Sequence, residues 1–259
     1  MNRIDRKFVE LKTQNKKALI TFATAGDPSL DLTEKLVLQM EQSGADIVEI
    51  GIPFSDPAAE PPVIQQASLR SLANGITLIK ILEMIKNLRQ KTEIPLVLMM
   101  YINTIFRFGT KRFFDLCVSC GIDGVIVPDM PFEEKAEIER EVKRTGVFSI
   151  SMVAPTSHAR IQMIAENGSG FLYAVPSEGA KNAFSANPKV FFQEVKAHTN
   201  VPVIVGFGAD SFSQIRLQKE YGDGIIVDTA IMKEIEKLGE DCLSAVGNKI
   251  VAFRNALDE

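Results

Sequence analysis

The stretch DIVEIGIPFSDP, residues 46–57, sets one carboxylate into an apolar run and then breaks into a loop marked by glycine and proline. The run Ile47–Gly51 predicts a buried strand, where Glu49 is unusual because glutamate is depleted in strands and rarely buried without a partner. In an α/β protein, a glutamate near the carboxyl end of a strand is where a catalytic acid or base is expected. A structural glutamate held by an arginine or by backbone N–H groups is the alternative, and these residues alone leave both open.

The same pattern of apolar runs recurs along the whole chain, which predicts eight strands separated by helices. The runs lack polar alternation, as expected for parallel strands that are covered on both faces. The predicted strands are Ala18–Thr24, Ile47–Gly51, Leu96–Met100, Gly124–Val127, Phe148–Val153, Phe171–Val175, Val203–Gly206 and Gly224–Val227. The predicted helices are Asp31–Ser43, Ile79–Gln90, Thr110–Ser119, Glu133–Lys143, His158–Glu166, Pro188–His198, Ser211–Glu220 and Ile231–Arg254.

Eight strands, each followed by a helix, make up a TIM (β/α)8 barrel, a fold that commonly uses about 250 residues. A doubly wound open sheet is the alternative, because periodicity alone does not show closure. We find no linker, low-complexity segment or charge block that divides the chain, so residues 1–259 are predicted to form a single barrel domain.

Composition and motifs argue against several classes of function. The net charge of -4 and the scattered basic residues argue against nucleic-acid binding. The charged N-terminus lacks the apolar run of a signal peptide, and no segment reaches the ~20 apolar residues of a membrane span, so we expect a cytoplasmic protein. Cys117 and Cys120 fall within a helical pattern, where they share a face and are not a redox pair. Two histidines without zinc-like spacing make a metal site unexpected.

Two connections that follow strands are unusually long, Pro53–Ala67 and Pro176–Asn187. Long loops in a compact domain are usually functional, for example as lids over an active site. The first loop carries Glu60, and two carboxyl groups in different environments can divide acid and base roles between them. A solvated loop charge is the alternative interpretation of Glu60.

Glycines after the seventh predicted strand and a helix start after the eighth favour a phosphate ligand. The segments are Gly206-Phe207-Gly208-Ala209 and Asp228-Thr229. Barrels often bind phosphate at these two places through backbone N–H groups. Tight turns that need a positive φ are the alternative explanation of Gly206 and Gly208.

Several motifs together resemble one known family over essentially the whole chain. They are TAGDP at residues 24–28, VEIGIPFSDP at 48–57, VIQ at 63–65, ASLRSL at 67–72, VPDMP at 127–131, VAPTS at 153–157 and GFG at 206–208. The chain resembles the α subunit of tryptophan synthase. The resemblance implies retro-aldol cleavage of indole-3-glycerol phosphate to indole and glyceraldehyde 3-phosphate. It also implies an alpha-beta-beta-alpha assembly in which pyridoxal phosphate belongs to the partner β subunit, and no cofactor on this chain.

The resemblance also implies roles for individual residues. Glu49 matches the general acid–base residue, and Glu60 stands at the position of the second carboxylate, which engages the indole N–H. Tyr173 matches a tyrosine close to Glu49. An indole pocket would be lined by Phe22, Met99, Tyr101, Val127 and Phe207, although ordinary core is an equally good interpretation of these five residues. The phosphate would lie against Gly179, Gly208, Ala209, Asp228 and Thr229.

Three departures from the family pattern fall in this site. Glu60-Pro61 replaces Asp-Gly, Gly179-Ala180-Lys181-Asn182 replaces Gly-Val-Thr-Gly, and Asp228-Thr229 replaces Gly-Ser. A carboxylate beside a phosphate costs several kcal/mol per unit charge at an effective dielectric of ~20, unless it is turned away or paired with Lys181. Two alternatives to the enzyme therefore stay open. One is a weakened or inactive α-like paralogue that binds and activates a β subunit, and the other is a lyase with an altered indole substrate.

Overall fold

The computed structural model describes residues 1–175, 188–206 and 211–259, and its sheet is a closed barrel of eight parallel strands. Each strand pairs with the next along the chain, and β1 pairs with β8 to complete the ring. The TIM barrel is therefore confirmed, and the open sheet is excluded. The strands are β1 (Ala18–Thr24), β2 (Ile47–Gly51), β3 (Leu96–Met99), β4 (Gly124–Ile126), β5 (Phe148–Val153), β6 (Leu172–Ala174), β7 (Val203–Val205) and β8 (Gly224–Val227). All eight predicted strands are confirmed to within one residue at each end.

Helices cover the outer face of the barrel. Two of them begin at serine caps: the Ser29 hydroxyl accepts a hydrogen bond from Leu32 N at 3.2 Å, and the Ser211 hydroxyl accepts one from Gln214 N at 3.4 Å. The helices are α1 (Arg3–Thr13), α2 (Leu30–Gln42), α3 (Pro62–Ala73), α4 (Leu78–Leu88), α5 (Ile102–Phe108), α6 (Thr110–Cys120), α7 (Ala136–Thr145), α8 (Arg160–Glu166), α9 (Pro188–Ala197), α10 (Phe212–Gln218), α11 (Thr229–Leu238) and α12 (Leu243–Asp258). No helix in these ranges is long and apolar enough to cross a membrane.

The helix prediction was wrong in four places. Helices α1, α3 and α5 were not predicted, and the predicted helix Ile231–Arg254 is two helices separated near Gly239, which has a φ of +54°. The predicted loop includes Pro61 and Pro62, yet Pro61 is the cap and Pro62 the first residue of α3. Proline is favoured in the first turn, because its missing N–H would have no helical partner there. The connection after β2 therefore covers residues 52–61, shorter than the predicted Pro53–Ala67.

Alternate residues of the strands fill the barrel interior with one apolar layer. This inner core consists of Ile20, Ile47, Val97, Ile126, Ile150, Ile204 and Ile226, among others. Helix α1 contributes Ile4 and Leu11 to the same cluster and so covers the amino-terminal end of the barrel. Glu49 lies two residues beyond Ile47 on β2, and side chains alternate along a strand. The carboxyl group of Glu49 therefore also points inward, at the carboxyl end where TIM barrels place their active sites.

Candidate active site

Glu49 is buried inside the barrel with no partner for its carboxyl group. Its side chain is 1% exposed, and neither carboxyl oxygen has a hydrogen-bond partner among the described residues. Burial raises the pKa of Glu49 to about 8, and the charges of Asp228 and Glu60 add to this effect. No arginine or backbone N–H in the described ranges holds Glu49, so the purely structural interpretation has no support there. Glu49 is therefore mainly a protonated carboxylic acid at neutral pH, and the described residues leave its hydrogen-bonding groups available to a ligand.

Glu60 is a second carboxyl group with a raised pKa, carried by the loop of residues 52–61. Its Oε2 is buried and has no hydrogen-bond partner in the described part of the chain, which contradicts the alternative of a solvated loop charge. Burial, followed by the charge of Asp228, raises its pKa to about 7. Both carboxyl groups therefore have pKa values raised into the range around neutral pH, which suits groups that donate and accept protons.

Tyr101 holds the loop that carries Glu60. Its hydroxyl oxygen accepts a hydrogen bond from Ala59 N at 3.0 Å, and its ring stacks on Phe54 with centroids 4.7 Å apart. Burial raises the pKa of Tyr101 to about 12, so the phenol stays neutral. The sequence predicted Tyr101 as pocket lining, and its contacts with this loop were not foreseen.

Two aromatic rings inside the barrel require glycine beneath them. Phe22 lies opposite Glu49 in the strand register, and its ring covers Gly51, where a Cβ would lie 2.5 Å from Phe22 Cζ. The Tyr173 ring covers Gly206, where a Cβ would lie 2.1 Å from Tyr173 Cε1. Burial raises the pKa of Tyr173 well above its usual value, and the charge of Glu49 is the next largest cause. Gly206 does not have a positive φ, so the predicted tight-turn alternative was wrong for this glycine.

We expect Gly206→Ala to lower the midpoint of thermal unfolding and to displace the Tyr173 ring. A methyl group forced against a packed ring lowers the free energy of unfolding by about 1–3 kcal/mol. Gly124→Ala is the matched control, because Gly124 is a buried glycine at the start of β4 and its Cβ would meet its nearest atom, Ile4 Cδ1, only at 3.3 Å. Equal losses of thermal stability in the two variants would contradict the close packing of Tyr173 on Gly206.

Asp228 and Thr229 begin α11, directly after β8. The Asp228 carboxylate caps this helix by accepting a hydrogen bond from Thr229 N. The charge of Asp228 also contributes to the raised pKa values of Glu49, Glu60 and Tyr173. These four side chains therefore share one electrostatic environment, and the N–H of Thr229 already has an acceptor from the protein.

The remaining residues predicted for the site do not all lie beside the carboxyl groups. A second, outer apolar cluster lies between the strands and the helices around them. Met99 lies opposite Gly51 in the register and is half-buried, in contact with both the inner core and this outer cluster. Val127 packs in the outer cluster and lines a different cavity, so the structure does not bring it to the carboxylates. Ile126 is the β4 residue on the inward face, and counting alternate residues along that strand would have found it. Phe207, Gly179, Gly208, Ala209, Lys181 and Asn182 lie outside the described residues.

Within the described ranges, no group of three or more His, Cys, Asp or Glu residues is arranged to hold a metal ion. A barrel mouth with one protonated acid, one carboxyl group that titrates near neutral pH and two aromatic rings can transfer protons to and from a flat aromatic substrate.

Comparison with known proteins assigns the chain to a family. The family model described as tryptophan synthase alpha chain matches residues 8–257. The chain belongs to the tryptophan synthase alpha chain family. A member from Clostridium kluyveri is 46% identical over 263 residues, with 100% of both chains covered. A member from Caldanaerobacter subterraneus subsp. tengcongensis is 41% identical, with 99% of this chain and 100% of that one covered.

Solved structures of the family agree with the fold. The tryptophan synthase alpha chain of Legionella pneumophila superimposes with a TM-score of 0.92 at 37% identity, and covers 100% of this chain and 98% of its own. A chain of tryptophan synthase from M. tuberculosis in an open form gives a TM-score of 0.87 at 27% identity, with 97% and 98% covered. The family resemblance seen in the sequence is thereby confirmed.

Proposed function

We propose that this chain is a lyase that cleaves indole-3-glycerol phosphate by a retro-aldol reaction into indole and glyceraldehyde 3-phosphate. The observation that carries the proposal is the buried, unpartnered Glu49, whose pKa of about 8 makes it an acid at neutral pH. Membership of the tryptophan synthase alpha chain family supports the same activity.

The cleavage requires two proton transfers at one carbon–carbon bond. The acid form of Glu49 donates a proton to indole C3, which leaves positive charge on the ring. Glu60 as a carboxylate accepts a hydrogen bond from the indole N–H and stabilises that charge. The electrons of the bond between C3 and the glycerol carbon then return to the ring, and the hydroxyl on that carbon loses its proton as the aldehyde forms. The Glu49 carboxylate takes this proton and is ready for another turnover.

The rest of the site positions the two ends of the substrate. The rings of Phe22 and Tyr173 offer apolar faces to the indole. The start of α11, with Asp228 and Thr229, is where the phosphate end would approach. Family membership supports our inference of the assembly: a β subunit would dock at this end of the barrel, near the exposed Asp56, and would carry the pyridoxal phosphate.

An assay of indole release tests the proposal directly. Purified protein is incubated with indole-3-glycerol phosphate, with and without a tryptophan synthase β subunit, and indole is quantified by chromatography. We expect release in both conditions and faster release with the β subunit. If no indole forms while β-subunit activity rises, the chain is a non-catalytic activator and the proposal fails.

We expect kcat/KM for this cleavage to follow a bell-shaped pH profile. Activity should rise as pH increases through the Glu60 pKa of about 7, because Glu60 acts as a carboxylate. It should fall as pH increases through the Glu49 pKa of about 8, because Glu49 must start as an acid. Because Glu49 and Glu60 interact, the two limbs of the profile report apparent pKa values of the pair and not of either residue alone. Asp228→Asn should move both limbs to lower pH, since the Asp228 charge raises both pKa values. Limbs that do not move in this variant would contradict the electrostatic coupling.

A further inference from the structure

A separate cavity of about 320 Å³ lies outside the barrel wall. It is a partly open cavity lined by the loop after β4, residues of β5, the residue before α7 and the first turns of α8. Its volume falls within the range of small-molecule sites. None of Glu49, Glu60 and Asp228 lines it, so it is distinct from the candidate active site.

Lys135 contributes a cation to this cavity without an acidic partner. Its Nζ donates to Ser151 Oγ at 2.7 Å and to the Ser149 carbonyl oxygen at 3.3 Å, and lies 5.5 Å from the centre of the Phe132 ring. Across residues 1–175, 188–206 and 211–259, no carboxylate lies within ion-pair distance of this ammonium group. Burial lowers the pKa of Lys135, an effect that Glu139 only partly offsets. An ammonium has three donors, and both of the acceptors named here are neutral oxygens.

Arg160 provides a second cation in the cavity wall. It forms an ion pair with Glu133 at 3.5 Å, and both side chains are about half exposed, so the pair is weak. The guanidinium has five N–H donors, which leaves several for another acceptor. Asp129, the acidic residue in the lining, directs its Oδ1 to Ile102 N at 2.9 Å. Asp129 keeps its negative charge and turns it toward the start of α5, so Lys135 is the cation of the cavity wall that has no carboxylate in contact among the described residues.

We propose that this cavity is a binding site for a small organic carboxylate with an apolar body. The carboxylate lies between Lys135 and Arg160, and the apolar body packs against Phe132, Met130 and Ile164. Since Arg160 is shared with Glu133, the two cations match one negative charge better than a dianion. The inference is independent of the proposed lyase activity.

Benzoate is the probe, titrated against the full chain by ligand-observed NMR. We expect saturable binding that weakens about fivefold or more in Lys135→Met, because a charge-assisted hydrogen bond is lost. Lys143→Met is the matched control: it removes the same charge from an exposed position on α7, the helix that begins directly after Lys135, and Lys143 there pairs with Glu139 at 2.6 Å. Benzamide has the same body without the charge and should bind much more weakly.

Three results would overturn the proposal. They are the absence of saturable benzoate binding, equal affinity in Lys135→Met and Lys143→Met, and loss of binding in Glu49→Gln, which would place benzoate inside the barrel. If Lys135→Met does not fold, the half-exposed Arg160→Gln decides: about twofold or more weaker binding supports the site, and unchanged affinity refutes it.

Discussion

Replacement of Glu49 by glutamine is expected to lower the rate of indole release by ~10²–10⁴, the usual loss when an acid–base group is removed. Glutamine has nearly the same size and cannot donate a proton to indole C3. The fold should persist, because neither carboxyl oxygen of Glu49 has a hydrogen bond to lose among the described residues. Single-turnover kinetics with indole-3-glycerol phosphate, together with a circular dichroism spectrum, provide the measurement.

The same variant should change how stability depends on pH. Because burial raises the folded-state pKa of Glu49 from 4.5 to about 8, its contribution to stability is fully present below about 4.5 and is lost as pH rises through about 8. The glutamine side chain stays neutral at every pH. The midpoint of thermal unfolding of Glu49→Gln should therefore rise relative to that of the parent as pH increases from about 4.5 to about 8. Glu137→Gln, at an exposed position on α7, is the control for both readouts. Near-parental turnover in Glu49→Gln with an unchanged spectrum would remove Glu49 from the mechanism.

Replacement of Asp228 by glycine is expected to tighten binding of glycerol phosphate by roughly tenfold or more, which corresponds to at least ~1.4 kcal/mol. The variant removes a charge of the same sign as the ligand. It also frees the Thr229 N–H, which Asp228 now occupies at the start of α11. Glycine is an acceptable helix cap that costs only a few tenths of a kcal/mol, so the helix should remain formed.

Calorimetric titrations at one fixed ionic strength decide this prediction. Asp228→Asn is the matched control: it keeps the size and the cap of the parent side chain but removes the charge, and an intermediate affinity is expected. Equal affinities in the parent and both variants would mean that Asp228 points away from the ligand. Weaker binding by Asp228→Gly would mean that the phosphate approaches a different part of the barrel.

The sequence predicted most of the barrel because most strands are near-continuous apolar runs, a pattern that does not depend on distant residues. Glu49 stood out for the same reason, as a carboxylate within such a run. Pro61 and Pro62 were misassigned because proline both ends loops and begins helices, and the local sequence does not separate the two.

The properties of the site depend on contacts that only the closed barrel brings about. Asp228 lies far along the chain from Glu49 and Glu60, so the effect of its charge on their pKa values could not be predicted from the segment around Glu49. The packing of Tyr173 on Gly206 likewise joins β6 to the residue after β7. Val127 was misplaced by one position, which is enough to move a side chain to the other face of a strand.

Helix α1 covers the amino-terminal end of the barrel interior, so the described residues leave no passage there. Ile4 and Leu11 close the amino-terminal end, and the inner core fills the space above them. Among the described residues, the carboxyl-terminal end is the way left for a substrate and its two products, past the loop that carries Glu60 and that Tyr101 holds. Indole released within the barrel would therefore leave on the side where a β subunit would receive it.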